Sequence, residues 1–231
     1  MSATGITSYI DSSRIELNEE IYFKTIKNNL RDIIKYEDFF INSKYGIKDI
    51  KIIDNKLYLS YTNELRKDCF NISILSAEIN YKELFFSKFF EPVDCVLKNN
   101  NFTRFNPHHS GGRIEILNDD FILLSTGDFK NLSLSQNDNS MFGKIILINK
   151  KNKQYKIVSK GLRNPQGMYV DNSNSLIIST DHGPEGGDEI NLQKINDTKV
   201  ANFGWSISSY GEHYGFKSKD EKNELYKIAP L

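Results

Sequence analysis

The sequence predicts an all-β fold built of serial antiparallel hairpins. Three observations predict it. From Tyr45 onward one unit recurs, a short apolar strand, a polar turn and a second short apolar strand. Strands of this length joined by tight polar turns read as meanders, not as a parallel sheet with crossover helices. The 15 Phe and 12 Tyr among 231 residues supply a packed core that a disordered chain lacks.

Residues 1–44 form a separate N-terminal segment. Ile26, Leu30, Ile33 and Ile34 fall at i, i+4, i+7 and i+8 and predict a short amphipathic helix, which Asn28-Asn29 weakens. Residues 45–231 form the β-domain. In its first hairpin, 49–53 turns at Asp54-Asn55 into 56–61, where Leu57, Leu59 and Tyr61 share one face. The second runs 113–117, Asn118-Asp119-Asp120 and 121–126. The third runs 143–149, 150–153 and 154–158. The fourth runs 168–170, 171–175 and 176–180. Such a series suits a propeller, a sandwich or a barrel, and periodicity does not choose among them.

Lys plus Arg and Asp plus Glu each number 30, so the net charge is zero and nothing argues for nucleic acid or an anionic membrane as partner. No apolar run approaches the roughly 18 residues of a membrane span. The start, Met1-Ser-Ala-Thr-Gly-Ile-Thr, has neither a basic n-region nor an apolar core and is no signal peptide as written. Cys69 and Cys95 admit two readings: a disulfide contributing roughly 3 kcal/mol, or two free thiols. Neither lies in a zinc-site spacing. Asn-x-Ser/Thr triplets at Asn71, Asn101, Asn131 and Asn196 read as chance in an Asn-rich chain.

Two segments depart from ordinary β-structure: Gly161-Leu-Arg-Asn-Pro-Gln-Gly167 and Asp181-His-Gly-Pro-Glu-Gly-Gly-Asp-Glu-Ile-Asn191. They mix turn formers with reactive groups, which core packing does not require. Pro165 holds Asn164 extended, so Arg163 is either aimed at an anionic ligand or bonded to loop carbonyls. Loop carbonyls and carboxylates from Asp181 to Glu189 suit a hard cation such as Ca²⁺, without EF-hand spacing. Asp171-Asn-Ser-Asn-Ser175 is a turn. His109, in His109-Ser-Gly-Gly-Arg113, projects from a strand end. It is either a proton acceptor or a loop histidine bonded to backbone. Asp128, at the far end of the same hairpin, is the carboxylate that would fix its tautomer. His108 is expected to face solvent, and His213 has no chemical neighbours.

The ordered motifs are His109-x-x-x-Arg113, Gly127-Asp128, Gly143-Lys-Ile145, Arg163-Asn-Pro-Gln-Gly167, His182-Gly-Pro-x-Gly-Gly-Asp-Glu-Ile-Asn191 and Asn202-Phe-Gly-Trp205. Over about residues 105–215 they resemble the soluble glucose/sorbosone dehydrogenase family, which includes aldose sugar dehydrogenases dependent on pyrroloquinoline quinone (PQQ). The resemblance implies a six-bladed β-propeller with PQQ over the central axis and Ca²⁺ beside it. At 231 residues the chain is expected to make about four blades, an incomplete ring lacking C-terminal cofactor contacts. His109 would be the general base that takes the proton of the sugar C1 hydroxyl as hydride passes to PQQ C5. Asp128 would orient it, and Arg163 would stabilise negative charge on the reduced quinone. Arg163, Asn164, His109 and Gly183 would contact the cofactor, and the carbonyls of Gly183 and Pro184 would bind Ca²⁺ as a Lewis acid. Expected partners are an aldose, an external electron acceptor and a second copy in a homodimer; the expected location is periplasmic or secreted. The alternative is a non-catalytic propeller serving as a binding module. A third reading is a metallohydrolase using His108, His109, Asp128 and His182.

Overall fold

The computed structural model contains all four hairpins read from the sequence. The structure describes residues 1–16, 20–99, 105–211 and 227–228. Near the N-terminus, β1 (Thr7–Tyr9) pairs antiparallel with β2 (Lys24–Asn28). Then β3 (Ile47–Ile53) and β4 (Lys56–Arg66) form the first hairpin. Its turn residues Asp54 and Asn55 have φ of 49° and 59°. Positive φ at both central positions is the type I′ geometry that matches strand twist, and Asp and Asn tolerate it.

The first large sheet adds β5 (Cys69–Glu78), β7 (Ser87–Phe90) and the short β8 (Val96–Leu97), while β6 (Glu83–Leu84) joins β2 instead. The second is a meander of β9 (Gly111–Ile116), β10 (Phe121–Thr126), β11 (Lys144–Asn149) and β12 (Tyr155–Lys160). The third comprises β13 (Pro165–Asp171), β14 (Leu176–Asp181) and β15 (Glu189–Lys194). Downstream, β16 (Ala201–Asn202) returns to pair in parallel with β12. Last, β17 (Ser208–Ser209) pairs with β18 (Lys227–Ile228).

Period-2 alternation puts successive residues of one strand into different cores. Ile122 and Leu124 of β10, with Ile146 and Ile148 of β11, pack toward Tyr58, Phe70, Ile72 and Ile74 of the first sheet. Leu123, Ile145 and Leu147 point the other way, toward Met168, Val170 and Ile177 of the third. The middle sheet is therefore buried on both faces, which explains its unbroken apolar runs. Sheets packed face to face in series are the blades of a propeller. The innermost strand β9 packs against both β3 and β13.

The N-terminal helix needs correction. Ile26 lies in β2, and the helix is a single turn, Leu30–Ile33. Asn28 ends the strand by accepting the Leu30 N–H at 3.1 Å and donating to the Gly5 carbonyl at 2.9 Å. Asn29 grips the Phe86 backbone on the far side of the same sheet. Ile26, Leu30 and Ile34 are still buried together, against Leu57, Leu59, Tyr61 and Leu75. The apolar spacing marked a buried set, and tertiary hydrogen bonds decided its backbone.

Cys69 and Cys95 form a disulfide. Asn71 is buried, its side chain donating to the carbonyls of Pro92 and Asp94, both at 2.9 Å, so that triplet is no glycan acceptor. Asn101 and His213 lie outside the described residues. Among those residues, no helix is long and apolar enough to cross a membrane.

Candidate active site

The chemically unusual residues sit on loops at the ends of inner strands. His109 lies just before β9, Asp128 just after β10, and Arg163 and Asn164 just before β13. A backbone ladder zips these loops together. The Gly127 N–H donates to the Ser110 carbonyl and the Phe129 N–H to the His109 carbonyl, both at 2.8 Å. Asp128 N–H donates to the Arg163 carbonyl at 2.9 Å, and His182 N–H to that of Asn164 at 3.1 Å. The approach requires glycine at 127, where a Cβ would sit 2.2 Å from the His109 carbonyl oxygen.

Asp128 is fully buried. Its Oδ2 accepts the indole Nε1–H of Trp205 at 2.8 Å, and its Oδ1 accepts the Lys130 N–H at 2.7 Å. The same Oδ1 lies 3.4 Å from His109 Nδ1. At that length His109 Nδ1 is left without a proper hydrogen bond, although it is 7 % exposed as a residue. The pair is aligned but not closed. Burial holds the His109 pKa below the ordinary histidine value, against the pull of Asp128, and Arg163 and Lys130 lower it further. His109 is therefore neutral at pH 7, with Nε2 directed away from the carboxylate and able to accept a proton.

Arg163 and Asn164 are both buried. Arg163 Nη1 donates to the carbonyls of His182 at 2.7 Å and Gly183 at 2.8 Å, and its guanidinium lies 5.5 Å from the Trp205 ring centroid. Bonding to loop carbonyls was the second of the two readings left open for this residue. Asn164 Oδ1 accepts the Gly111 N–H at 3.1 Å, which ties the Arg163 loop to the His109 loop.

The two carbonyls expected to hold Ca²⁺ each accept one protein donor and keep a second lone pair. The Gly183 carbonyl accepts from Arg163, and the Pro184 carbonyl accepts the Gly187 N–H at 2.8 Å. Asp188 accepts from the exposed His182 Nδ1 at 2.8 Å and from Gly183 N–H at 2.9 Å. Among the described residues no three His, Cys, Asp or Glu side chains converge as a metal site. The zinc arrangement of His108, His109, Asp128 and His182 is thus not assembled, and His108 faces solvent as expected. A cleft of about 130 Å³ lined by Tyr36, Tyr61, Glu64 and Glu91 lies apart from these residues.

Lysines and an arginine act on the two loop histidines. Burial first, and then Lys44 and Lys48, depress the pKa of His108; burial first, and then Arg163 and Lys130, depress that of His109. Lys48 reaches the Pro107 carbonyl at 3.3 Å, and burial lowers its pKa to about 8.

Three positioning groups were not assigned from the sequence. Asp181 was read as part of the cation loop, yet it is buried and accepts the N–H groups of Arg163 and Asn164. Trp205 was noted only as part of a motif. Lys144, in Gly143-Lys-Ile145, is buried and donates to the carbonyls of Leu134, Ser135 and Phe142 within 2.8 Å. A charged residue inside an apolar strand run was the one available signal for it.

A family model described as Glucose / Sorbosone dehydrogenase matches residues 20–229. Aldose sugar dehydrogenase YliI of Escherichia coli is 29% identical over 132 residues, 51% of this chain and 34% of that protein. The apo-form of the soluble aldose sugar dehydrogenase from E. coli superposes with a TM-score of 0.62 at 19% identity, covering 80% of this chain and 55% of that one. The PQQ-bound form of aldose sugar dehydrogenase from Streptomyces coelicolor gives 0.55 at 21% identity, covering 74% and 50%. These likenesses show the fold. The chain spans about a third of the length of the curated relatives it matches, 34% and 30%.

Proposed function

This chain belongs to the glucose/sorbosone dehydrogenase family, and from that premise we propose that it oxidises the C1 hydroxyl of an aldose to the lactone with PQQ. The observation that supports this reading is a buried, neutral His109 aligned on buried Asp128, with the Arg163 guanidinium on the same loop ladder.

The residues present fit an anionic quinone. PQQ carries three carboxylates, and Arg163 and Lys130 act on buried His109 while Lys44 and Lys48 act on exposed His108. Arg163 and Asn164 would hold it, with His109 beside it. Bound PQQ would supply a two-electron, hydride-accepting centre. The chain's own work is acid–base. His109 takes the hydroxyl proton at Nε2, Asp128 steadies the resulting imidazolium at Nδ1, and closing the 3.4 Å gap would strengthen that pair as charge develops. An external electron acceptor would be needed to take up the two electrons. Ca²⁺ would sit at the carbonyls of Gly183 and Pro184, each of which accepts one protein donor and keeps a second lone pair, and would supply a Lewis acid beside the quinone. The disulfide fits an oxidising compartment and supports a periplasmic or secreted setting.

One observation favours the second reading, a non-catalytic binding module. Arg163 and Asn164 both spend hydrogen bonds within the chain. Titration with PQQ, followed by the fluorescence of the single tryptophan, tests binding. Sugar-dependent reduction of a redox dye tests turnover. Binding with turnover supports the dehydrogenase, and binding without turnover supports the module. Absence of both overturns the dehydrogenase reading.

A further inference from the structure

The Asn202-Phe-Gly-Trp205 motif has no assigned task in the chemistry above. Its four residues form a bracket. Gln136 and Asn202 exchange side-chain hydrogen bonds, each at 3.0 Å. Asn202 Oδ1 also accepts the Gly204 N–H at 3.1 Å, and Phe203 packs into the core beside the third sheet. Gly161, with φ of 73°, lets the bracket approach: a Cβ there would lie 2.3 Å from Asn202 Oδ1. The Trp205 carbonyl accepts from Ser135 Oγ at 2.9 Å, and its N–H donates to the Gly161 carbonyl at 3.1 Å. The backbone of Trp205 is thus held at both polar groups.

What this bracket delivers is one N–H. The indole is 4 % exposed and ends on Asp128 Oδ2 at 2.8 Å, across 77 residues of sequence. A buried tryptophan N–H needs an acceptor, but any loop carbonyl would serve. Here the acceptor is the carboxylate facing His109. With Lys130 N–H on Oδ1, the two donors fix the rotation of the carboxyl group and leave the open side of Oδ1 toward Nδ1. A carboxylate so fixed selects the tautomer with the proton on Nδ1 and the lone pair on Nε2.

We infer that Trp205 is a positioning residue: its indole N–H sets Asp128, and through Asp128 the tautomer of His109. The consequence for turnover rests on the dehydrogenase reading; the consequence for the tautomer does not.

Trp205 is the only tryptophan in the chain. Expression in a tryptophan auxotroph fed β-(3-benzothienyl)alanine therefore replaces this one N–H by sulfur at nearly constant shape. Two quantities are read on the ¹⁵N-histidine-labelled protein. NMR gives the His109 tautomer, with His109→Gln supplying the assignment, and dye reduction gives kcat and KM. The native chain is expected to hold the Nδ1–H tautomer. The analogue protein is expected to show a mixture, with kcat lower by about ten- to hundred-fold, the cost of an unpartnered buried acceptor, and KM little changed. Trp205→Phe should repeat the result where it folds. An unchanged tautomer in a folded analogue protein overturns the inference whatever turnover does. A lost tautomer in a chain that shows no dehydrogenase activity upholds it and sinks the functional reading instead.

Discussion

Asp181 accepts the backbone N–H of Arg163 on Oδ2 at 2.7 Å while its Oδ1 takes that of Asn164 at 2.6 Å. The carboxylate ends β14 and stands in register with Pro165, the first residue of β13. Pro165 has no N–H to offer the ladder, so the two amides before it are free to turn onto one anion. This is how the Arg163 loop is shaped without regular pairing. Asp181→Ala removes both charge-assisted bonds and is expected to cost about 3 kcal/mol or more in chemical denaturation. Burial also pushes the Asp181 carboxyl from 3.8 up to about 7, although its two N–H partners favour the charged form. A raised carboxyl releases its proton later in the folded than in the unfolded chain. Stability from this group therefore falls as pH rises from about 4 to 7. Asp181→Asn should flatten that decline, and an equally steep decline in the variant would assign it elsewhere.

His109 produces the opposite slope. Its depressed pKa, caused first by burial, means that the unfolded chain binds the proton more readily. Stability should drop as pH falls below the ordinary histidine value of 6.5, and His109→Gln should remove that part of the drop. Activity should follow the same group. The acid limb of kcat/KM is expected below pH 6.5, and His109→Gln should abolish dye reduction while leaving the thermal midpoint at pH 8 nearly unchanged. An acid limb above pH 7 would exclude a histidine in this environment as the base.

The carbonyls of Gly183 and Pro184 give a direct expectation for metal. Both already have protein donors, at 2.8 Å each. Ca²⁺ takes about six to eight oxygens, and two carbonyls alone are a sparse set, so adding millimolar Ca²⁺ to chelator-treated protein without cofactor should leave the thermal midpoint where it was. A rise of several degrees would mean that the loop gathers enough oxygens to hold the ion without cofactor.

The hairpins were legible because their determinants are local. Alternating apolar residues and turn residues such as Asp54-Asn55 act within a dozen positions. The N-terminal helix was misread because Asn28 and Asn29 bond to Gly5 and Phe86, partners that spacing does not reveal. The meeting of His109, Asp128 and Arg163 was half legible. Gly and Pro marked their loops as special, and the hairpin put His109 and Asp128 at one end. The aim of Arg163 was hidden, since its acceptors at 182 and 183 arrive through the pairing of β13 with β14. Trp205 was hidden for the same reason at longer range: it follows β16, and its acceptor follows β10, three strands along the same sheet.

Glycine 127 tests whether the close approach itself matters. A Cβ there would meet the His109 carbonyl oxygen at 2.2 Å and its carbon at 2.6 Å, both backbone atoms that cannot swing aside. Gly127→Ala should separate the Asp128 loop from the His109 loop, costing about 3 kcal/mol, the upper end of overpacking, and most of the turnover. Gly186 is the control. Its φ is 74° but nothing lies within 4 Å of the added Cβ, so Gly186→Ala bears backbone strain alone, about 1–2 kcal/mol. If the two variants lose stability and turnover equally, conformational strain explains both, and the contact between residues 109 and 127 is not what holds the dyad together. The expected result is a large loss of turnover at 127 and a small one at 186.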